Sequence, residues 1–173
     1  MPKPDVPPIT DGRIVLRLLE ERDLPMTLSW RNQDDIRKWF LNSAIITPEQ
    51  HRSWWERYRN RDDDFVFVIE ERVTLQRPVG QVGLYHIDRE QRTAEFGRLL
   101  IGDREAQGHG LGSMASRGLL KTAFSHWNLR TVYLEVRSLN RRAIALYRSC
   151  GFVTVSRTDA VERMLLTKSS VEQ

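Results

Sequence analysis

The sequence predicts a mixed α/β domain: one mostly antiparallel sheet of about seven strands, with about four helices covering both faces. Three observations predict it. β-type runs dominate the middle of the chain, from Phe65 to Ile101. The longest helical period, about Gly108 to His126, follows the last of these runs. After it, strand and helix alternate. The passage from residue 93 to residue 136, strand then helix then strand, reads as a right-handed crossover with parallel strands.

The elements follow in order. Residues 1–12, rich in proline and without a period, read as an irregular lead-in. A single domain is expected over residues 13–168, with a tail at 169–173. Ile14 to Leu18 is a short β-type run, and a helix is expected from Asp23, an N-cap type of residue, to Arg31. Thr47-Pro48-Glu49-Gln50 opens another helix, because Gln50 can close a capping box on Thr47. Phe65 to Ile69 is a strand; Val79 to Ile87 and Thr93 to Ile101 form an antiparallel hairpin across a polar turn. The long helix carries Leu111, Met114, Ala115, Gly118, Leu119 and Ala123 on one side. Thr131 to Val136 is a strand, and Asn140 caps a helix to Cys150, with Gly151 just beyond its end. Phe152 to Val155 and Val161 to Thr167 complete the sheet.

Composition bounds the function. A chain of 173 residues holds one domain with a real core and is short for two. Its 29% charged residues and the lack of any apolar run near ~20 residues argue against a membrane span. The first residues lack the apolar stretch of a secretory signal, and the lone Cys150 permits no internal disulfide, so a cytoplasmic protein is expected. The net charge of +4 suits an anionic ligand. No basic run is interleaved with aromatics, so nucleic acid is not an expected partner. The histidines and the cysteine show no ligand spacing, so no metal site is expected.

Gln107-Gly108-His109-Gly110-Leu111-Gly112 stands where a strand hands over to the long helix. Its glycines allow close backbone approach, and a helix N-terminus exposes unpaired N–H groups at the positive end of the dipole. Two readings fit: a cradle for phosphate, or a flexible loop that starts a helix. A P-loop is excluded because no Lys follows, and a dinucleotide fingerprint because the turn follows a late strand.

Gln107-x-x-Gly110-x-Gly112 resembles the acetyl-CoA signature of the GCN5-related N-acetyltransferases. Leu134-Glu135-Val136-Arg137, with Asn140, Ala143, Leu146-Tyr147 and Gly151-Phe152, resembles the next motif of that superfamily, in the right order and spacing. The resemblance covers about residues 13–168 and implies its fold, with the sheet splayed at the acetyl-CoA site. It implies that the backbone N–H groups of Gly108, His109, Gly110, Leu111, Gly112 and Ser113 hold the pyrophosphate. Leu99, Leu100 and Ile101 would pair with the pantetheine amides, while Asn140, Ala143 and Tyr147 line the far side near the thioester. The activity implied is transfer of acetyl from acetyl-CoA to a primary amine, by direct attack in a ternary complex.

Such chemistry requires a neutral amine, donors for the carbonyl oxygen and a proton for the departing thiolate. Tyr147 resembles the family tyrosine that supplies that proton; packing beside Ala143 and Leu146 is its other reading. Glu135 resembles the strand acid proposed as general base, or else it pairs with an arginine. Glu95 and His86, on the central hairpin, compete for the same role. Cys150 reads as small buried packing.

The acceptor is read from the N-terminal third. Trp30-Arg31-Asn32, Ile36-Arg37, Phe40, Pro48-Glu49-Gln50-His51 and Trp54-Trp55 are similar to acetyltransferases of UDP-linked 4-amino sugars in the pseudaminic acid pathway. Arg31 and Asn32 are the candidates to touch substrate, and Arg31, Arg37 or Arg52 can meet a diphosphate. Most of the tryptophans are expected in the core. Related patterns occur in polyamine and ribosomal-protein N-terminal acetyltransferases; these acceptors, and an aminoglycoside, stand as alternatives. A non-catalytic acyl-CoA sensor or interaction module is the alternative of a different class. Exposed aromatics would suit a homodimer.

Overall fold

In the computed structural model, which describes residues 3–171, the chain begins with β1 (Ile9–Asp11), β2 (Ile14–Leu18), α1 (Leu24–Arg31), a single turn α2 (Asp34–Arg37) and α3 (Pro48–Tyr58). An antiparallel meander follows: β3 (Phe65–Glu71), β4 (Arg77–Asp88) and β5 (Thr93–Ile101). Then come α4 (Leu111–Ser125), β6 (Thr131–Arg137), α5 (Arg141–Ser149), β7 (Val153–Arg157), β8 (Val161–Thr167) and a last turn α6 (Lys168–Val171). The strands form one sheet in the order β1-β2-β3-β4-β5-β6-β8-β7. Only β5 and β6 are parallel neighbours, the pair that the sequence makes a crossover.

The sheet has 8 strands where about seven are expected. The additional one, β1, lies in the supposedly irregular lead-in. Ile9 to Asp11 folds back on Ile14 to Leu16 around Gly12, whose φ of +57° allows the tight turn. Three residues are too few to show a period. The turns α2 and α6 are also additions, and α6 covers much of the expected tail; residues 172 and 173 lie outside the described residues.

β3 explains the layering. Phe65, Phe67 and Ile69 point to the face covered by α4 and α5, among Leu111, Leu119 and Ile144. Val66 and Val68 point to the opposite face, among Leu24, Trp55 and Tyr58 of α1 and α3. A strand buried on both faces reads as an unbroken apolar run, as this one does. α3 starts where its capping box requires: Thr47 Oγ1 accepts from the Gln50 N–H at 3.1 Å, and Gln50 Oε1 accepts from the Thr47 N–H at 2.9 Å.

One polar anchor fixes the entry to α1. Arg17 of β2 donates to both oxygens of Asp23, at 2.8 and 2.9 Å, and the Glu20 N–H donates to the same carboxylate. Burial pushes Asp23 up, but these hydrogen bonds and the guanidinium charge outweigh it and hold the carboxyl below its ordinary value. Among the described residues no helix is long and apolar enough to cross a membrane.

Candidate active site

The site begins as a defect in the sheet. β5 and β6 pair only at Thr93↔Thr131, Ala94↔Val132 and Glu95↔Tyr133. Beyond Glu95 the two strands part, leaving residues 96–101 of β5 without a partner on that side. The cause lies on the other edge of β5. There Gly83 pairs with Gly97 and Gln81 with Leu100, so Arg98 and Leu99 both oppose Val82. This is a β-bulge, with Arg98 at φ +57°, and a bulge bends its strand. The resulting slot is flanked by Leu99 and Ile101, half-buried, and by buried Leu100. The Ile101 carbonyl already accepts from Gln107 Nε2 at 2.9 Å, which ties the strand end to the glycine turn.

That turn sits at the head of α4. Gly108 and Gly110 have φ of +80° and +75°, and Gly110 is the N-cap with no side-chain cap. A Cβ added at either would meet no atom within 4 Å, so the space above the turn is open. The first-turn N–H groups of α4 therefore point into open space at the positive end of the helix. His109 is exposed beside them; Ser113, half-buried, accepts from Arg117 one turn on. These residues suit a pyrophosphate, and the adjoining slot suits an extended chain with amides that take up strand pairing.

Where the strands part, Tyr147 of α5 packs edge-on against Phe96, with ring centroids 5.9 Å apart, and against Phe152 at 6.0 Å. The tyrosine is 9% exposed, and burial pushes its hydroxyl up, so the phenol stays protonated. Among the described residues its hydroxyl has no hydrogen-bond partner. Asn140 is less free: it caps α5, accepting from the Ala143 N–H at 3.2 Å. Cys150 is half-buried at the far end of α5, where burial raises its thiol pKa and keeps it a poor nucleophile.

Tyr85, Glu95 and Tyr133 form one cross-strand row on the face of α1 and α3. Glu95 accepts from the Tyr85 hydroxyl at 3.2 Å and meets His86 Nδ1 at 3.0 Å. Glu135 lies two residues further along β6 on the same face. It is more exposed and faces Arg163 Nη1 at 3.5 Å, so the arginine pairing weighed for it is present. The structure thus puts Glu95, the less exposed carboxylate and the one with two side-chain partners, at the last paired position before the split.

A cavity of about 460 Å³ opens on this face beside Arg98. α1 contributes Arg31, α3 contributes His51 and Trp54, and the intervening loop contributes Phe40 and Ile46. Successive loop carbonyls are held by guanidinium groups: Phe40 and Leu41 by Arg137 of β6 at 2.9 and 3.1 Å, Asn42 by Arg31, and Ser43 by Arg37 at 2.9 Å. Asn32 is fully engaged, bonding both the N–H and the carbonyl of Ile46. Its amide shapes the loop. Of the tryptophans, Trp30 and Trp55 are core, Trp54 is half-buried in the cavity wall, and Trp39 is exposed. Sequence reasoning missed Arg98 and Gln81 in this wall, and missed Arg137 as the clasp on the loop. A positive φ and a pairing 97 residues apart leave no local signal.

A sheet split between two parallel strands, with a glycine turn at one end and a buried phenol near the vertex, has the shape to take an extended nucleotide thioester, as in an acyl-transferring enzyme. A family model for the GNAT acetyltransferase domain matches residues 13–153, and the chain belongs to that family. It is an acyltransferase that takes acetyl-CoA as its acetyl donor. The spermidine N1-acetyltransferase of Vibrio cholerae is 27% identical over 143 residues, 83% of this chain and 80% of that one. The crystal structure of the Vibrio cholerae spermidine enzyme with CoA and spermine superposes with a TM-score of 0.83 at 26% identity, over 93% of this chain and 99% of that chain. An uncharacterized Methanocaldococcus jannaschii protein is 28% identical over 143 residues; the match takes in 82% of this chain and only 28% of that longer protein.

Proposed function

We propose that this chain acetylates a primary amine of a polyamine, by direct attack on acetyl-CoA in a ternary complex. The observation that carries the acceptor class is the likeness, in sequence and fold, to spermidine enzymes, one of them solved with spermine. The nucleotide-linked amino sugar expected from the N-terminal third finds no counterpart among the relatives described above; the polyamine alternative does. The row of Glu95 and Glu135 on the open face supports it, because carboxylates there would meet the ammonium groups of a polycation.

In this reading the thioester lies in the slot, where the unpaired backbone of β5 orients it. Glu95, steadied by Tyr85 and His86, takes the ammonium proton directly or through a water. Tyr147 gives its proton to the departing thiolate, and its lack of another partner leaves the hydroxyl free to do so. Glu135 holds a second positive charge of the acceptor. The direct route fits the placing of Cys150, at the end of α5 with its thiol raised.

The test is release of CoA from acetyl-CoA by the purified chain, across spermidine, spermine, a UDP-4-amino sugar, a ribosomal-protein N-terminal peptide and an aminoglycoside. Turnover with the polyamines at a kcat/KM well above the others is expected. Faster turnover of another class would replace the acceptor while leaving the chemistry. Tight acetyl-CoA binding with no turnover of any amine would favour the sensor.

A further inference from the structure

We propose that the cavity between α1, α3 and the loop of residues 38–47 is an anion-receptive pocket. It would take a small molecule with a phosphate or carboxylate on a flat or apolar body, and Arg31 is its anchor. The argument begins with charge. Among the described residues no Asp or Glu lines the cavity. Arg98 is neutralised in place by Asp64, with contacts of 2.5 and 3.3 Å. His51, hydrogen-bonded to Thr27, is held toward its neutral form by burial. Arg31 alone is uncompensated. No carboxylate pairs with it among the described residues; one amino group donates to the Asn42 carbonyl, while Nη1 is shielded from water and has no partner.

A half-buried guanidinium with one nitrogen unpartnered and no carboxylate beside it costs free energy that an anion brought into the cavity would offset. The rest of the wall sets the ligand's body. Arg31 lies 4.2 Å over the Phe40 ring, and His51 stacks on Trp54 at 5.4 Å with only 6° between planes. Leu19, Ile46 and Val66 complete an apolar surround. The cavity offers a polyamine no carboxylate; in the acceptor reading above, its charges meet Glu95 and Glu135 on the open face beside the cavity. The pocket therefore goes beyond the acceptor reading above, and either can fail without the other.

The test uses the full chain saturated with CoA, so that the cradle at α4 is already filled. Phenyl phosphate and its cationic counterpart benzylamine are titrated by calorimetry. Phenyl phosphate is expected to bind and benzylamine to give no heat. Arg31→Met should weaken phenyl phosphate by about tenfold or more, the scale of one lost charge-assisted hydrogen bond. Because Arg31 also holds the loop, Gln50→Glu is the second variant. Its carboxylate keeps the capping box on Thr47 while adding a negative charge to the wall, and it too should weaken binding by about tenfold.

Failure of wild type to bind phenyl phosphate, equal binding of benzylamine, or an affinity within about twofold of wild type in Gln50→Glu or in folded Arg31→Met would overturn the pocket. A second arm identifies the source of the anion. Turnover of glucosamine 6-phosphate or phosphoethanolamine, with a KM raised by Arg31→Met, makes the anion part of the acceptor. Phenyl phosphate binding without turnover of either amine makes it a separate effector. Both results support the pocket.

Discussion

Gly110→Asp should leave the fold intact and still destroy acetyl-CoA binding. Gly110 sits at φ +75° as N-cap of α4, and a Cβ there meets nothing within 4 Å. The left-handed conformation costs an L-residue about 1–2 kcal/mol, less for Asp, which tolerates that region. Against this, the Asp charge suits the helix dipole and offsets about 0.3–1 kcal/mol of that cost. Stability should therefore change by no more than about 1 kcal/mol, read as a melting shift of a few degrees. Binding is another matter, because the carboxylate stands where the pyrophosphate belongs. Two like charges about 4 Å apart repel by about 1 kcal/mol in water and about 4 near a protein surface, which is a loss of about 5-fold to about 1,000-fold. Calorimetric titration of CoA against the wild type, Gly110→Asp and the neutral control Gly110→Ala measures this. The ranking expected is wild type, then Ala, then Asp, with the Asp chain melting like wild type. A folded Gly110→Asp chain that binds CoA within about twofold of wild type would refute the cradle.

Tyr147→Phe should lower kcat by about a hundredfold or more while the CoA Kd and the melting temperature hold, since its hydroxyl has no protein partner to lose; steady-state kinetics beside a CoA titration decides. Glu95→Gln should lower kcat by a similar factor at neutral pH, with the deficit shrinking as pH rises and the amine loses its proton unaided. Glu135→Gln should act mainly on KM, so a pH–rate profile of both variants separates base from binder. Asp23→Asn tests linkage. The native carboxyl is held below its ordinary value by Arg17, so its contribution is present at neutral pH and lost as pH falls below about 4. Urea melts should show the gap between wild type and Asp23→Asn narrowing from pH 7 to about pH 3.

The backbone features of the proposed donor side were legible because its requirements fall on backbone. Positive φ at Gly108 and Gly110, the Asn140 cap and the left-handed Gly151 each demand a residue type, and a demand of that kind leaves a spaced motif. The strand period of β3 to β5 and the helical side of α4 were readable for the same reason, since burial selects apolar residues at a fixed spacing. The parting of β5 and β6 was foreseen from the resemblance; its cause was not. The bulge at Arg98 puts a non-glycine residue at positive φ, which no propensity announces. β1 went unseen because three residues carry no period. The partners of the two candidate carboxylates, Tyr85 and His86 on Glu95 and Arg163 on Glu135, come from cross-strand neighbours that no single segment announces.

The acceptor half resists reading for a physical reason. Its walls come from α1, α3, a loop and three strands, and its shape is held by long side chains reaching backbone carbonyls. Arg137 grips Phe40 and Leu41 from nearly a hundred residues away, so a residue of the motif proposed for the donor side shapes the loop proposed for the acceptor side. That clasp joins the end of β6 to the loop over the cavity. A change of acceptor therefore needs no change in the cradle or the vertex. It needs only different side chains on the loop of residues 38–47 and on the faces of α1 and α3, where exposed residues such as Leu41 and Ile45 can be replaced without cost to the core. Arg137→Met tests this division. It should leave CoA binding unchanged and raise the acceptor KM about tenfold by freeing the loop. A change confined to CoA affinity would instead place Arg137 in the donor half alone.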